Sequence, residues 1–430
     1  MNKKITLALL PILSLILTAC TLSDLPVIGK YFGSKPSSKI PTGPVSISMW
    51  GLWENPDVIN ALTSKYKEAH PNVTVNYDDR SILNPVDYKE RVFTRASDNA
   101  GADVMRVHVS WVPRLKAQGL IAPMPDDMLD VNAYKGSIYP VAANNLVLDG
   151  KLYGVPAYYD GLVMVYNKDH FAEVGQTAPP TAWEELRRLA MELVIKGPNG
   201  EIIRGGAALG GANNIDFFSD IVGMLFAQAR VSFPNDVDSK PAKDALVFYS
   251  NFITVDKVWS DSLPEASRAF AEEKASIIFI PSWNLLDILA ARPDLNIGVA
   301  PVPQALPEEP ATWGSFWVDV VPVSSQNQAV AWDFLTFLSQ SDQQLLQFSE
   351  ASKKRAYGPP YILTSLAGEL SSNAYLKAVV DSAPLATSYE FSARAGNRRQ
   401  TDALKNAVNA ALAGGDVETA LTAFKAELTR

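Results

Sequence analysis

At 430 residues, with 38 Lys and Arg against 46 Asp and Glu, the chain is acidic; its formal net charge of −8 argues against a nucleic-acid partner, which calls for a basic face. A single cysteine excludes an internal disulfide, and the three histidines, His70, His108 and His170, stand at no metal-ligand spacing. The length exceeds the roughly 250–300 residues at which one core stops growing, so two lobes are expected.

The N-terminus reads as an export signal. Lys3 and Lys4 precede an uncharged run from Ile5 to Ala19, too short for the roughly 20 apolar residues of a membrane helix. Residues 1–19 are therefore expected to be a signal peptide. Leu17-Thr18-Ala19-Cys20 resembles the lipobox of bacterial lipoproteins, which implies that Cys20 becomes the lipid-bearing first residue. Residues 21–43, rich in Ser, Pro, Gly and Lys, read as a flexible tether. Removing residues 1–19 takes away two lysines and no acids, leaving 36 basic against 46 acidic side chains, a balance of −10.

The ordered part begins with "PVSISMW", where Val45, Ile47 and Met49 alternate with serines as in a strand. Asn55-Pro56 opens a helix carrying Val58, Leu62, Tyr66 and Ala69, and Val73, Val75 and Tyr77 alternate after it. A second round follows: Asn84-Pro85 opens a helix with Tyr88, Val92 and Ala96, and "ADVMRVHV" is the next strand. These βαβ units predict parallel strands with right-handed crossovers in an α/β fold. Further on, "KLYGVPAYYDGLVMVYNKDHF" is strand-like, and Thr181 to Glu184 reads as a capping box for a helix ending at Leu193. Strands are expected in "ASIIFIPSW", "NIGVAPVP" and "SFWVDVVPVS". Helices are expected over 329–348, re-capped by Ser341 and Gln344, and over 402–428.

Aromatic residues gather where strands end: Trp50, Trp53, Trp111, Tyr158, Tyr159, Trp283, Trp313 and Trp317. Any one of these is as readily a core residue. As a set, interspersed with Glu54, Asp160, Asn284 and Asp319, they offer flat apolar faces and polar groups of the kind a sugar ring needs, at the strand ends where open α/β sheets bind ligands.

On this set of segments, the chain resembles the carbohydrate-class extracellular solute-binding proteins of ABC importers, similar to maltose-binding protein. The resemblance rests on "ISMWGLWE", "GADVMRVHVSWVPRLKAQGLIAPM", "KLYGVPAYYDGLVMVYNKDHF", "TAWEEL" and "SRAFAEEKASIIFIPSW". Gly101-Ala102-Asp103 and Glu273-Lys274 depart from the usual turns. The resemblance implies a two-lobed, type II periplasmic-binding-protein-like fold, each lobe a mostly parallel sheet flanked by helices. It implies one lobe of residues 44–159 with 314–368, another of 160–313 with 369–430, and crossings near Asp160, Trp313 and Glu369. It further implies ligand contacts from Trp50, Trp53, Glu54, Ser110, Trp111, Tyr158, Asp160, Trp283, Trp313, Gly314 and Trp317, with Arg355 and Tyr357 as weaker candidates. The expected protein is a monomeric, lipid-anchored carrier on the outer face of the cytoplasmic membrane. It delivers a sugar or oligosaccharide to a permease and needs no cofactor or metal.

Two readings from other classes stay open on the residues alone. A glycoside hydrolase would need a pair of carboxylates, for which Glu54, Asp160 and Asp319 are candidates. A polyamine or other organic cation is also gripped by aromatics and acids. Tyr158-Tyr159 does not make a metal site, because neighbouring strand residues point to opposite faces. Gly205-Gly206 and Gly210-Gly211 fit no phosphate-binding loop.

Overall fold

The computed structural model describes residues 41–98 and 101–430; the expected signal peptide, Cys20 and all but the end of the expected tether lie outside the described residues. In chain order the strands that matter are β1 (Val45–Gly51), β2 (Val73–Asp79), β3 (Val104–His108), β4 (Val155–Pro156), β5 (Leu162–Asn167), β6 (Ile277–Pro281), β7 (Ile297–Ala300), β8 (Thr312–Trp313), β9 (Trp317–Val320) and β10 (Ala386–Thr387). They form a five-stranded sheet in the order β2-β1-β3-β9-β4, a three-stranded sheet β6-β5-β7, and the short parallel pair β8-β10.

The opening βαβ units form as their sequence dictates. Asn55 Oδ1 accepts the Asp57 N–H at 2.8 Å, capping the helix Pro56–Ala69. Asn84 does the same for Asp87 at 3.0 Å, at the head of Pro85–Arg95. Such caps satisfy donors that a helix start leaves unpaired. In both cases proline follows at the first turn, where its missing N–H costs nothing. β1 pairs parallel to β2 and to β3, with Ile47 and Met49 facing the core.

The expectation of mostly parallel sheets needs correction. β9 runs antiparallel to both β3 and β4, and the smaller sheet is antiparallel throughout, β5 lying between β6 and β7. The reason is topological. Trp317 at the start of β9 pairs with His108 at the end of β3, and Leu162 at the start of β5 pairs with Pro281 at the end of β6. A strand that enters a sheet from the junction between sheets must run away from it, whereas strands delivered by helical crossovers run towards it. The carboxyl ends of β1, β2, β3, β4, β6 and β7 therefore meet the amino ends of β5 and β9 at the junction.

That junction is tied by backbone bonds. Gly161 bridges to Gly314, the Ser315 N–H donates to Asp160 O at 3.0 Å, and the Gly314 N–H donates to Thr387 O at 2.8 Å.

Three local expectations change in detail. The strand-like segment from Lys151 is broken into Lys151–Leu152, β4 and β5, and "NKDHF" is already the helix Lys168–Glu173, capped by Asn167. At the helix Trp183–Leu193 it is Glu185, not Glu184, that reaches back, accepting the Thr181 N–H at 3.0 Å and the Ala182 N–H at 3.3 Å. The N-cap residue there is alanine, so the box is one-sided. Residues 329–348 form two helices, Gln328–Leu338 and Ser341–Ser352, and Gln344 uses its amide oxygen on the Ile362 and Leu363 N–H groups instead of a cap.

Candidate functional site

Strand ends at the junction carry nearly every expected contact, but the fold sorts them by depth. Trp53 stands out at 51% exposure, in a left-handed backbone conformation (φ 52°) that a tryptophan adopts only when held. The hold is visible. Its N–H donates to Ser81 Oγ at 2.5 Å, and Ser81 is in turn fixed by Asp79, whose carboxylate accepts the Ser81 N–H at 2.9 Å. Below it lies a stack of rings. Trp317 meets Trp53 edge to face at 5.2 Å and packs in the same manner on Trp111 at 5.6 Å and on His108 at 5.5 Å.

Trp50 is buried, with the Arg80 guanidinium 4.5 Å over its ring. Trp111 and Trp313 have no exposed surface. Trp111 Nε1 donates to Ala395 O at 2.9 Å, and Trp313 Nε1 donates to Ser392 Oγ at 2.9 Å among Phe233 and Phe391. Ser110 is buried, its hydroxyl 2.8 Å from His108 Nδ1, while His108 Nε2 lies 3.1 Å from Ser315 Oγ. Burial, with Lys89 adding to it, holds the His108 imidazole down at about 3, so it is neutral. Gly314 contributes backbone to the junction. Tyr158 and Trp283 are half-buried.

The carboxylates are occupied. Asp160 Oδ1 accepts the Gly161 N–H at 2.7 Å and the Ser282 N–H at 2.9 Å, and Oδ2 accepts the Ser282 hydroxyl at 2.9 Å and the Trp283 N–H at 3.0 Å. It thus caps, from the connection between β4 and β5, the helix Ser282–Ala291 that bears Trp283. Burial pushes this carboxyl up to about 6 against those hydrogen bonds. Asp319 grips Arg106 with two bonds of 2.9 and 3.0 Å, and Glu54 accepts Gln347 Nε2 at 3.1 Å with Arg106 3.7 Å away. Asp319, Arg106, Glu54 and Gln347 line a cavity of about 20 Å³ that also touches Tyr77 and Gln343, room for one water molecule.

Several cleft residues went unread in the sequence. Phe217 packs edge-on to Trp283 at 5.6 Å, Arg394 lies 5.9 Å over the Phe217 ring, and Arg394 pairs with Asp216 at 2.7 Å. Ala395, beside Arg394, holds Trp111, so the patch around Trp283 adjoins the patch around Trp53. Of the weaker candidates named from the sequence, Tyr357 is buried and donates its hydroxyl to Ser282 O at 2.6 Å, and Arg355 Nε donates to Tyr357 O at 3.0 Å. "SARAGNRR" carries no periodicity or motif that would have singled out Arg394. Among the described residues no cluster of His, Cys, Asp and Glu is arranged to hold a metal, and no helix is long and apolar enough to cross a membrane.

Two α/β sheets joined at their strand ends, with aromatic rings converging there, define a two-lobed solute-binding fold. Comparison with known proteins agrees. The chain belongs to the bacterial extracellular solute-binding protein family, whose profile matches residues 53–345. A Brucella abortus protein named only as a binding protein is 26% identical over 297 residues, covering 64% of this chain and 67% of that protein. The maltotriose-binding protein of Pyrococcus abyssi is 21% identical over 314 residues, covering 69% of this chain and 64% of that protein. In structure, a cyclo/maltodextrin-binding protein complexed with maltotetraose superposes with a TM-score of 0.70 at 17% identity, covering 91% and 98% of the two chains. The family is one of binding proteins, and on that membership the chain is a binder and not an enzyme.

Proposed function

We propose that this protein captures a sugar or oligosaccharide between its lobes and delivers it to an ABC permease. The observation that carries the reading is Trp53, an exposed indole held in a strained backbone over Trp317 at the edge where both sheets converge. An apolar face presented at such a cost suits the C–H face of a pyranose. Trp53, the edge of Trp317, Tyr158 and Trp283 are the first contacts; Trp50, Glu54, Ser110, Trp111, Asp160, Trp313 and Gly314 support them from behind. Relatives named for maltotriose and mannitol point to the same class of cargo.

The lobes are residues 44–159 with 314–368 and 160–313 with 369–430. Hinge closure around the ligand stabilises the closed form by the contacts the ligand adds, and micromolar capture requires about 8 kcal/mol, within reach of stacking and a few buried hydrogen bonds. Cys20 carries the lipid and residues 21–43 the reach, keeping a monomeric carrier at high effective concentration beside its permease. A Cys20→Ser variant should move from the membrane to the soluble fraction. A thermal-shift screen with mono- and oligosaccharides, amines and metal ions tests the cargo, because a ligand that binds only the native state raises its melting temperature. Shifts confined to amines or metals would sink the sugar reading.

The occupied carboxylates weigh against an organic cation as cargo. A carboxylate already accepting internal donors has little left for an ammonium group, and Asp160, Asp319 and Glu54 are all in that position.

A further inference from the structure

Resting on the sugar-binding reading, we propose that the saccharide carries an anionic group, a carboxylate or an acidic ester, held by Arg355 and Arg394 near Trp283.

The acids that would meet neutral hydroxyls are spent inside the protein: Asp160 on the start of the helix Ser282–Ala291, Asp319 on Arg106, Glu54 on Gln347 and Arg106. Arg355 is not. In this acid-rich chain the arginines of the described residues have a carboxylate within ion-pair distance, except Arg91 and Arg355. Arg355 is exposed and uses only Nε, which donates to Tyr357 O at 3.0 Å, so its two terminal nitrogens remain open. The Tyr357 hydroxyl is bonded to Ser282 O, and while burial, Asp160 and Glu54 raise the Tyr158 phenol, Arg106 and then Arg355 lower it. Arg355 therefore belongs with Tyr158 and the head of the Trp283 helix.

Arg394 reaches Trp283 through a different neighbour, Phe217. Its guanidinium, 52% exposed, is fixed by one bond to Asp216, a carboxylate itself held by the Ser267 N–H at 3.1 Å and hydroxyl at 3.0 Å. It lies over Phe217, the ring that supports Trp283. A buried carboxylate behind a guanidinium orients the fork and leaves its remaining N–H groups outward. Asp287, one helical turn beyond Trp283, is an exposed acid whose carboxyl burial raises and the charge of Arg394 lowers. Planar N–H pairs of this kind match a carboxylate or ester oxyanion in two parallel charge-assisted bonds, about twice as strong as neutral ones.

The test is calorimetric titration of the purified protein with matched sugars: galacturonate oligomers against galactose oligomers of equal length, and glucose 6-phosphate and galactose 6-sulfate against the free hexoses. The acidic member of at least one pair should bind roughly tenfold tighter or more, and the pair that responds tells carboxylate from ester. Arg355→Gln and Arg394→Gln should collapse that preference towards unity while melting temperature stays within a few degrees. Arg355→Lys, which keeps the charge but not the fork, should restore only part of it. Equal or tighter binding of the neutral member in every pair overturns the charge inference and leaves the sugar reading standing. No binding by any saccharide, neutral or acidic, overturns both. A preference that survives both Gln variants places the anion elsewhere and also overturns the assignment.

Discussion

The indole of Trp53 stands edge to face on that of Trp317, centroids 5.2 Å apart and planes at 68°, and only the first of the two is open to solvent. Depth, more than residue type, separates ligand platform from scaffold at this junction. Trp53→Ala should weaken saccharide binding by roughly 1–3 kcal/mol, the loss of a buried ring face, with little change in melting temperature. Trp313→Ala, which empties a site among Phe233 and Phe391, should instead cost roughly 3–5 kcal/mol of stability. Titration and urea unfolding of both variants check the contrast; equal destabilisation by the two would refute it.

Ser81 is expected to act on binding through Trp53. Its hydroxyl accepts the Trp53 N–H, which keeps a left-handed tryptophan in place. Ser81→Ala should reduce affinity severalfold through loss of a hydrogen bond contributing about 0.5–1.5 kcal/mol, and Ser81→Thr should recover most of it. In the Trp53→Ala background the Ser81→Ala effect on affinity should vanish. Additive losses would show that Ser81 acts by another route.

Arg106 holds two acids in the interior of the larger sheet, Asp319 by two bonds and Glu54 at 3.7 Å. Arg106→Met strands both charges and should destabilise by roughly 3–5 kcal/mol, because an unpaired buried carboxylate keeps its desolvation cost. Adding Asp319→Leu should recover a large part of the loss. Denaturant midpoints with unchanged slopes are the readout.

Acid stability reports two buried groups of opposite sign. His108, held from 6.5 down to about 3, favours the native state above pH 6.5 and loses that contribution as pH falls towards 3. Asp160, raised from 3.8 to about 6, does the reverse: its contribution is full below pH 3.8 and is lost as pH rises through about 6. Between pH 4 and 6 the two offset each other. Asp160→Asn removes one side, so the variant should lose stability on acidification from pH 6 to 4 more steeply than the parent, by an amount on the order of 2–3 kcal/mol over the window. Parallel slopes in urea unfolding across that range would contradict the assignment.

Much of the architecture is legible in the residues because it rests on local chemistry. Asparagine-proline pairs cap and open the first two helices, and alternation in "VSISM" and uninterrupted apolar runs in "IIFIP" form strands whatever lies around them. Capping and pattern act over a few residues, so a sequence states them outright. Strand direction in the smaller sheet, and in the returning β9, was not legible, since it depends on which end of a sheet the chain enters after crossing the junction.

The candidate site divides along the same line. Its composition, indoles with interspersed carboxylates at strand ends, is a property of the sequence alone. Which indole faces solvent and which carboxylate is already engaged were decided by tertiary structure. Trp53 and Trp313 are the same residue type, and only packing leaves one bare and the other enclosed; Asp160 reads as a free acid until the start of a helix 122 positions later claims it. Arg394 lies in a stretch without pattern and gains its place from Asp216 and Phe217, which are remote in sequence. Burial and charge pairing are sums over neighbours brought together by the fold, and no stretch of chain contains its own neighbours.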